Sequence, residues 1–172
     1  MTRRATAQSA NGWKVILPCI LGIMLCSAHG HALGVMMRPL ESEFGWARAE
    51  ISAGFLIIAV VALVVSPMVG TAVDRIGARR IALGGTLIYC ATLAMLSLPT
   101  ADVRTWWGLW LLLSAGNMLI LPVVWLAVLN GYFVRSRGLA MAIALSGTGL
   151  GAAIFPILTN TLVEAFGWRQ AY

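Results

Sequence analysis

The chain predicts an all-α membrane protein, a multi-pass bundle of transmembrane helices, and three observations lead there. Composition is the first: 60% of the 172 residues are hydrophobic and only 10% are charged, with a mean hydropathy of +0.88, far from a soluble domain. The second is that the apolar residues fall into five uncharged runs, roughly 15–37, 51–73, 81–98, 106–130 and 139–163. Each approaches the ~20 residues with which a helix crosses a ~30 Å hydrocarbon core. The third is that charges sit in short segments between the runs. Membrane strands are excluded, because no ten-residue alternation suggests a closed barrel and open strands cannot satisfy their backbone in lipid.

The elements follow in order. Residues 1–14 form a basic tail with Arg3, Arg4 and Lys14. The stretch Val15–Cys26, followed by "SAHGHA", imitates a cleaved signal peptide, but its apolar run continues to Met37 and four more follow. It is therefore read as a retained first span. Within it Gly22, Cys26, Gly30 and Gly34 recur every fourth residue, a stripe suited to close helix packing. Span two leads into the charged hairpin 70–80 and span three follows. Span four carries Ser114, Asn117 and Pro122, whose missing N–H predicts a kink; Pro67 and Pro156 suggest the same for spans two and five. Span five is crowded with small residues, among them Gly147 and Gly151. Residues 167–172 read as the start of a connection to a sixth helix, so the chain is expected to be part of a larger protein.

Orientation follows from the cations. With the N-terminus inside, Arg3, Arg4, Lys14, Arg75, Arg79, Arg80, Arg135 and Arg137 are cytoplasmic, and Arg38, Arg48, Arg104 and Arg169 lie outside. Asp74 is then the single inner acid, against Glu41, Glu43, Glu50, Asp102 and Glu164 outside. A cell (inner or plasma) membrane location with a cytoplasmic N-terminus is expected. Trp46, Trp106, Trp107, Trp110 and Trp168 are placed near the outer interface, and Trp13, Tyr132 and Phe133 near the inner one. The cations are scattered over three inner loops, which argues against a nucleic-acid partner; membrane lipid is the expected surroundings. Cys19, Cys26 and Cys90 lie in apolar runs without metal spacing, so packing is their expected role. No triad, metal set or phosphate loop is present, and neither an enzyme nor a cofactor is indicated.

The hairpin "GTAVDRIGARR", residues 70–80, concentrates four of the chain's charges. Its glycines suit a sharp turn. Asp74 is read as lying just before helix three, complementing its N-terminal dipole. As the lone inner acid it is expected to pair with a cation, Arg135 or Arg137 of the next inner loop being candidates. A breakable bridge of that kind is a gate component; the plainer alternative is that these charges only mark topology.

Gly70, Asp74, Arg75, Gly77, Arg79 and Arg80, at this spacing between helices two and three, resemble the loop signature of the major facilitator superfamily. "YFVRSRGLAMAIALSGTGLGAAIFP", residues 132–156, is similar to the fourth loop and fifth helix of its monocarboxylate-transporter and oxalate/formate-antiporter branch. "LGVMMRPLESEFGWARAEIS", residues 33–52, is similar to that branch's first outer loop and places Arg38 where some carriers keep a cation. At "SANGWKV" the branch begins its signature with an aspartate that is absent here. The resemblance implies the N-terminal part of a twelve-helix carrier, five helices of its first half, with the C-terminal half as partner. It further implies transport of a small organic anion, such as a monocarboxylate, by rocking-switch alternating access. Spans two and five would face the other half.

Three residues are candidates for substrate. Arg38 has a guanidinium able to clamp a carboxylate, or it merely snorkels to the interface. His29 and His31 lie on opposite sides of the Gly30 seam at ~100° per residue, so only one can face a given cavity; His29 is preferred, with a helix-to-helix hydrogen bond as the plain alternative. Asn117 needs a polar partner in mid-span, and the resemblance puts spans one and four along the substrate path. Two other functions stay open: drug or metabolite efflux by the same fold, and a non-transporting five-helix protein that assembles with a partner.

Overall fold

The computed structural model describes residues 2–98, 102–133 and 136–172, with side chains from Trp13 onward. Among them are seven α-helices, a closing 3-10 turn at Trp168–Gln170, and no strand. The helices are α1 (Thr2–Cys26), α2 (Ala28–Phe44), α3 (Arg48–Ile76), α4 (Ala78–Met95), α5 (Val103–Leu119), α6 (Pro122–Asn130) and α7 (Arg137–Phe166). Four stretches of the described residues are long and apolar enough to cross a membrane: Trp13–Phe44, Arg48–Ile76, Val103–Asn130 and Arg137–Phe166. The run expected at 81–98 is the helix α4, which begins with Arg79 and Arg80 in its first turn and lies outside that set.

The helices overrun the expected spans, and backbone chemistry explains where they stop. Three glycines have positive φ, Gly45 (68°), Gly77 (96°) and Gly167 (82°), and each closes a helix. Charge marks where a helix leaves lipid, whereas a residue free to adopt positive φ marks where it ends. Span one therefore continues past 37 to Phe44, and Arg38 is helical. The second helix passes 73 to Ile76, which corrects the placement of Asp74. It sits in the last turn of α3, not before the next helix, and Gly77 alone joins α3 to α4. At the other end of α3, Glu50 accepts the Ala47 N–H at 2.9 Å and caps the helix start.

Packing is set by close backbone approach. A Cβ added to Gly147 would lie 2.5 Å from the Ile20 carbonyl oxygen, and one on Gly151 would lie 2.4 Å from Ser27 Oγ and 3.2 Å from the Met24 oxygen. The small face of α7 is thus pressed onto α1 within this chain. Gly22 receives the Trp125 ring in the same way. Gly30 and Gly34 do not continue the stripe: Gly30 has only an ordinary contact with Phe55 at 3.7 Å, and nothing stands near Gly34. Glycines the sequence pattern did not single out complete the seams, Gly54 beneath Trp110, Gly85 against Leu119 and Gly116 against Tyr89.

Two apolar cores result, one toward each end of the bundle. Ile16, Cys19, Ile23, Trp125 and Phe133 anchor the first, and Leu33, Trp46, Tyr89, Trp106 and Trp110 the second. The tryptophans expected near the outer interface are mostly buried in the second core. Trp46, Trp106, Trp110 and Trp168 are buried core residues, and only Trp107, 37% exposed, has a surface position. Trp106 and Trp107 donate to the carbonyls of Ile51 and Glu50, so their indoles tie α5 to the start of α3.

Candidate functional site

Span one is interrupted once, at Ser27. Its hydroxyl donates to the Met24 carbonyl (2.7 Å), while its own carbonyl accepts the N–H groups of Gly30 and His31. Span four is interrupted at Ile120–Leu121. Pro122 has no N–H to offer and forces the preceding residue out of the helical region; Leu121 is accordingly extended, with ψ 148°. Pro67 and Pro156, by contrast, lie inside unbroken helices.

The two interruptions face one another. Cys26, at the first, donates its thiol to Asn117 Oδ1 at 3.4 Å, and Asn117 occupies the last turn before the second. His29 lies in the opening turn of α2, where backbone N–H groups lack helical acceptors. Tyr89 of α4 supplies one: its hydroxyl accepts the His29 N–H at 3.3 Å and lies 3.0 Å from His29 Nδ1. The His29 ring stands edge-on to Tyr89 and to Trp110, at centroid distances of 6.1 and 5.9 Å. Trp110 is fully buried and its Nε1 has no acceptor. An amide, a phenol, an imidazole and a donor without an acceptor thus gather where two helices lose their regular bonds. These groups are polar without placing a fixed charge in the bilayer interior, where charge is costly.

Of the sequence candidates, His29 and Asn117 meet at this site, and His31 makes no part of it. Arg38 is elsewhere. It lies nine residues beyond His29, about 13 Å along the helix and half a turn round it. It is exposed on the side shared with Gly34 and makes no ion pair among the described residues. Tyr89 was not singled out from sequence, although a phenol in mid-run is itself a signal, since its hydroxyl requires a partner.

The loop signature is exposed throughout: Gly70, Asp74, Arg75, Gly77, Arg79 and Arg80 all face outward. Among the described residues Asp74 forms no ion pair, nor does Arg137; Arg135, its other expected partner, lies outside them. Asp74 lines a cleft of about 280 Å³ with Gly70, Val73 and Leu121. The ion pairs that do form are at the other end. Arg48 pairs with Glu41 at 2.6 Å, and Arg169 with Glu43 at 2.7 Å while also donating to the Ser97 carbonyl.

A multi-pass transmembrane helix bundle, organised around two facing helix interruptions, is the class of protein these features define. Comparison with known proteins makes it specific: the family model of the Major Facilitator Superfamily matches residues 19–172. The chain belongs to that superfamily. It is 29% identical to monocarboxylate transporter 6 of Homo sapiens, over 96% of this chain and 33% of that protein. It is 30% identical to the riboflavin transporter MCH5 of Saccharomyces cerevisiae, over 87% of this chain and 29% of that protein. With the fujikurins efflux protein of Gibberella fujikuroi it shares 34% identity over 61% of this chain and 22% of that protein. The chain thus spans a third or less of the length of these curated relatives.

Proposed function

We propose that this chain is the N-terminal part of a secondary carrier that moves a small organic anion, of the monocarboxylate class, across a cell membrane by rocking-switch alternating access. The observation that carries the reading is the pair of facing interruptions bridged by Cys26 and Asn117. Interrupted helices near mid-membrane are where carriers of this kind build substrate sites, because unwound backbone is tolerated only against protein or a cavity. His29, Tyr89 and the Trp110 N–H would supply neutral hydrogen bonds there. Arg38, exposed and unpaired on span one, would attract the carboxylate at the pore mouth. Gly70 and Asp74, on the exposed inner end of α3, would meet the second half of the carrier. The N-terminus would be cytoplasmic, with α4 as a fifth crossing. Its 18 residues rise about 27 Å, close to a hydrocarbon core, and its leading arginines would snorkel to the surface.

The test is counterflow of labelled lactate into proteoliposomes that hold the complete carrier. Arg38→Ala is expected to lower carboxylate uptake on the order of tenfold or more, the loss of a charge-assisted hydrogen bond, while Arg38→Lys keeps part of it. Unchanged carboxylate uptake in Arg38→Ala, or flux of neutral and cationic solutes alone, would refute the anion reading and favour efflux.

A further inference from the structure

A second cavity, of about 300 Å³, opens between α1, α4 and α6 at the end of the bundle that carries Lys14 and Arg79. Those two cations line it together with Tyr132, Trp125, Pro18 and Leu83, and no acidic side chain lines it. Neither cation has an ion-pair partner among the described residues. Trp125 is buried, and its Nε1 has no acceptor. The cavity therefore gathers two positive charges and a phenol on otherwise apolar walls, and what it lacks is an anion with several acceptor oxygens.

The flanking helices indicate which anion. From Lys14, Leu17 and Leu21 follow at three and seven residues along α1; from Arg79, Leu83 and Leu87 follow at four and eight along α4. These are the spacings of single helix faces. All four leucines are exposed, Leu17 by 62% and Leu87 by 75%. Each face thus has a cation at the membrane surface and an apolar stripe leading inward, the order of charge and hydrocarbon in a phospholipid. We propose that this cavity binds the phosphate headgroup of an anionic phospholipid, held by Lys14 and Arg79 with its acyl chains along the leucine stripes. The inference needs neither the substrate nor the sidedness proposed above, only that the basic end of the bundle meets a leaflet.

The experiment is native mass spectrometry of the 172-residue chain released from nanodiscs of mixed phosphatidylglycerol and phosphatidylcholine. Retention of phosphatidylglycerol in excess is expected, and Lys14→Ala/Arg79→Ala should lower that excess on the order of tenfold, as expected for two cations near an anionic surface. The charge-preserving Lys14→Arg/Arg79→Lys should retain it, which separates loss of charge from loss of fold. Equal retention of the two lipids, an excess that survives the double alanine variant, or an excess lost equally in the charge-preserving variant would overturn the proposal. Glycerol 3-phosphate that displaces the lipid at equal concentration would also overturn it, in favour of a soluble anion.

Discussion

Gly147→Val is expected to push helix α7 off α1 and abolish the native bundle. The nearest atom to the position of a new Cβ is the Ile20 carbonyl oxygen, 2.5 Å away, followed by the Ile20 carbon and the Met24 nitrogen, both at 3.3 Å. These are backbone atoms of another helix, so no rotamer change relieves the collision. Gly147→Ala should already cost about 1–3 kcal/mol through overpacking; the two further methyl groups of valine have no room at all. In lipid, the loss is not softened by a hydrophobic drive between helices, because close packing itself supplies much of their attraction. Gly149→Ala is the matched control. It lies two residues away on the same helix, has nothing within 4 Å of its Cβ position, and should gain roughly 1 kcal/mol from helix propensity. Thermal unfolding in detergent, followed by tryptophan fluorescence, compares the three. A stable Gly147→Val would show that the α1–α7 seam is not as close as its geometry states.

Trp110→Ala should be the most damaging truncation. The indole is fully buried, its ring lies over Gly54 with no space for a Cβ between, and it touches the rings of Phe55, Trp106 and His29 at centroid distances of 5.5 to 5.9 Å. Removing it leaves a cavity among groups from α2, α3 and α5, at a cost of about 3–5 kcal/mol. Since Nε1 has no acceptor, no hydrogen bond is lost with the ring. Trp107→Ala gives the scale: that indole is partly exposed and donates to the Glu50 carbonyl, so about 1 kcal/mol is expected. Equal effects of the two substitutions, read as unfolding midpoints, would remove Trp110 from the core.

These two sites also show how far the sequence could be read. The all-helical membrane class and the superfamily were legible, because hydrocarbon thickness imposes run length and the hairpin 70–80 has a distinctive spacing. Pro122 announced the interruption of span four, since a missing N–H acts locally. The interruption at Ser27 was not legible, because no proline or unusual dihedral preference marks it. Small residues announced close packing but not between which helices. Gly147 and Gly151 lie on a span expected to face a second half, yet they meet α1; Gly54 was silent because its partner, Trp110, is 56 positions away. The burial of the tryptophans was not legible for the same reason: both interface and core accept the residue, and only the facing helix decides. The candidate site was half legible. His29 and Asn117 stood out as polar groups in apolar runs, whereas Tyr89 reads as an aromatic until the His29 backbone is seen against its hydroxyl.

The carrier reading depends on α4 crossing the membrane, for only then do the 70–80 hairpin and the start of α5 face opposite sides. Single cysteines introduced as Arg79→Cys and Arg104→Cys, in a background lacking Cys19, Cys26 and Cys90, test this with an impermeant maleimide on intact cells. Both positions are exposed, one at each end of the segment. Labelling at 104 in intact cells, with 79 reacting only after the membrane is opened, is the expected result. Labelling of both positions from the same side would mean that α4 does not cross, and the five-helix half-carrier would fall with it.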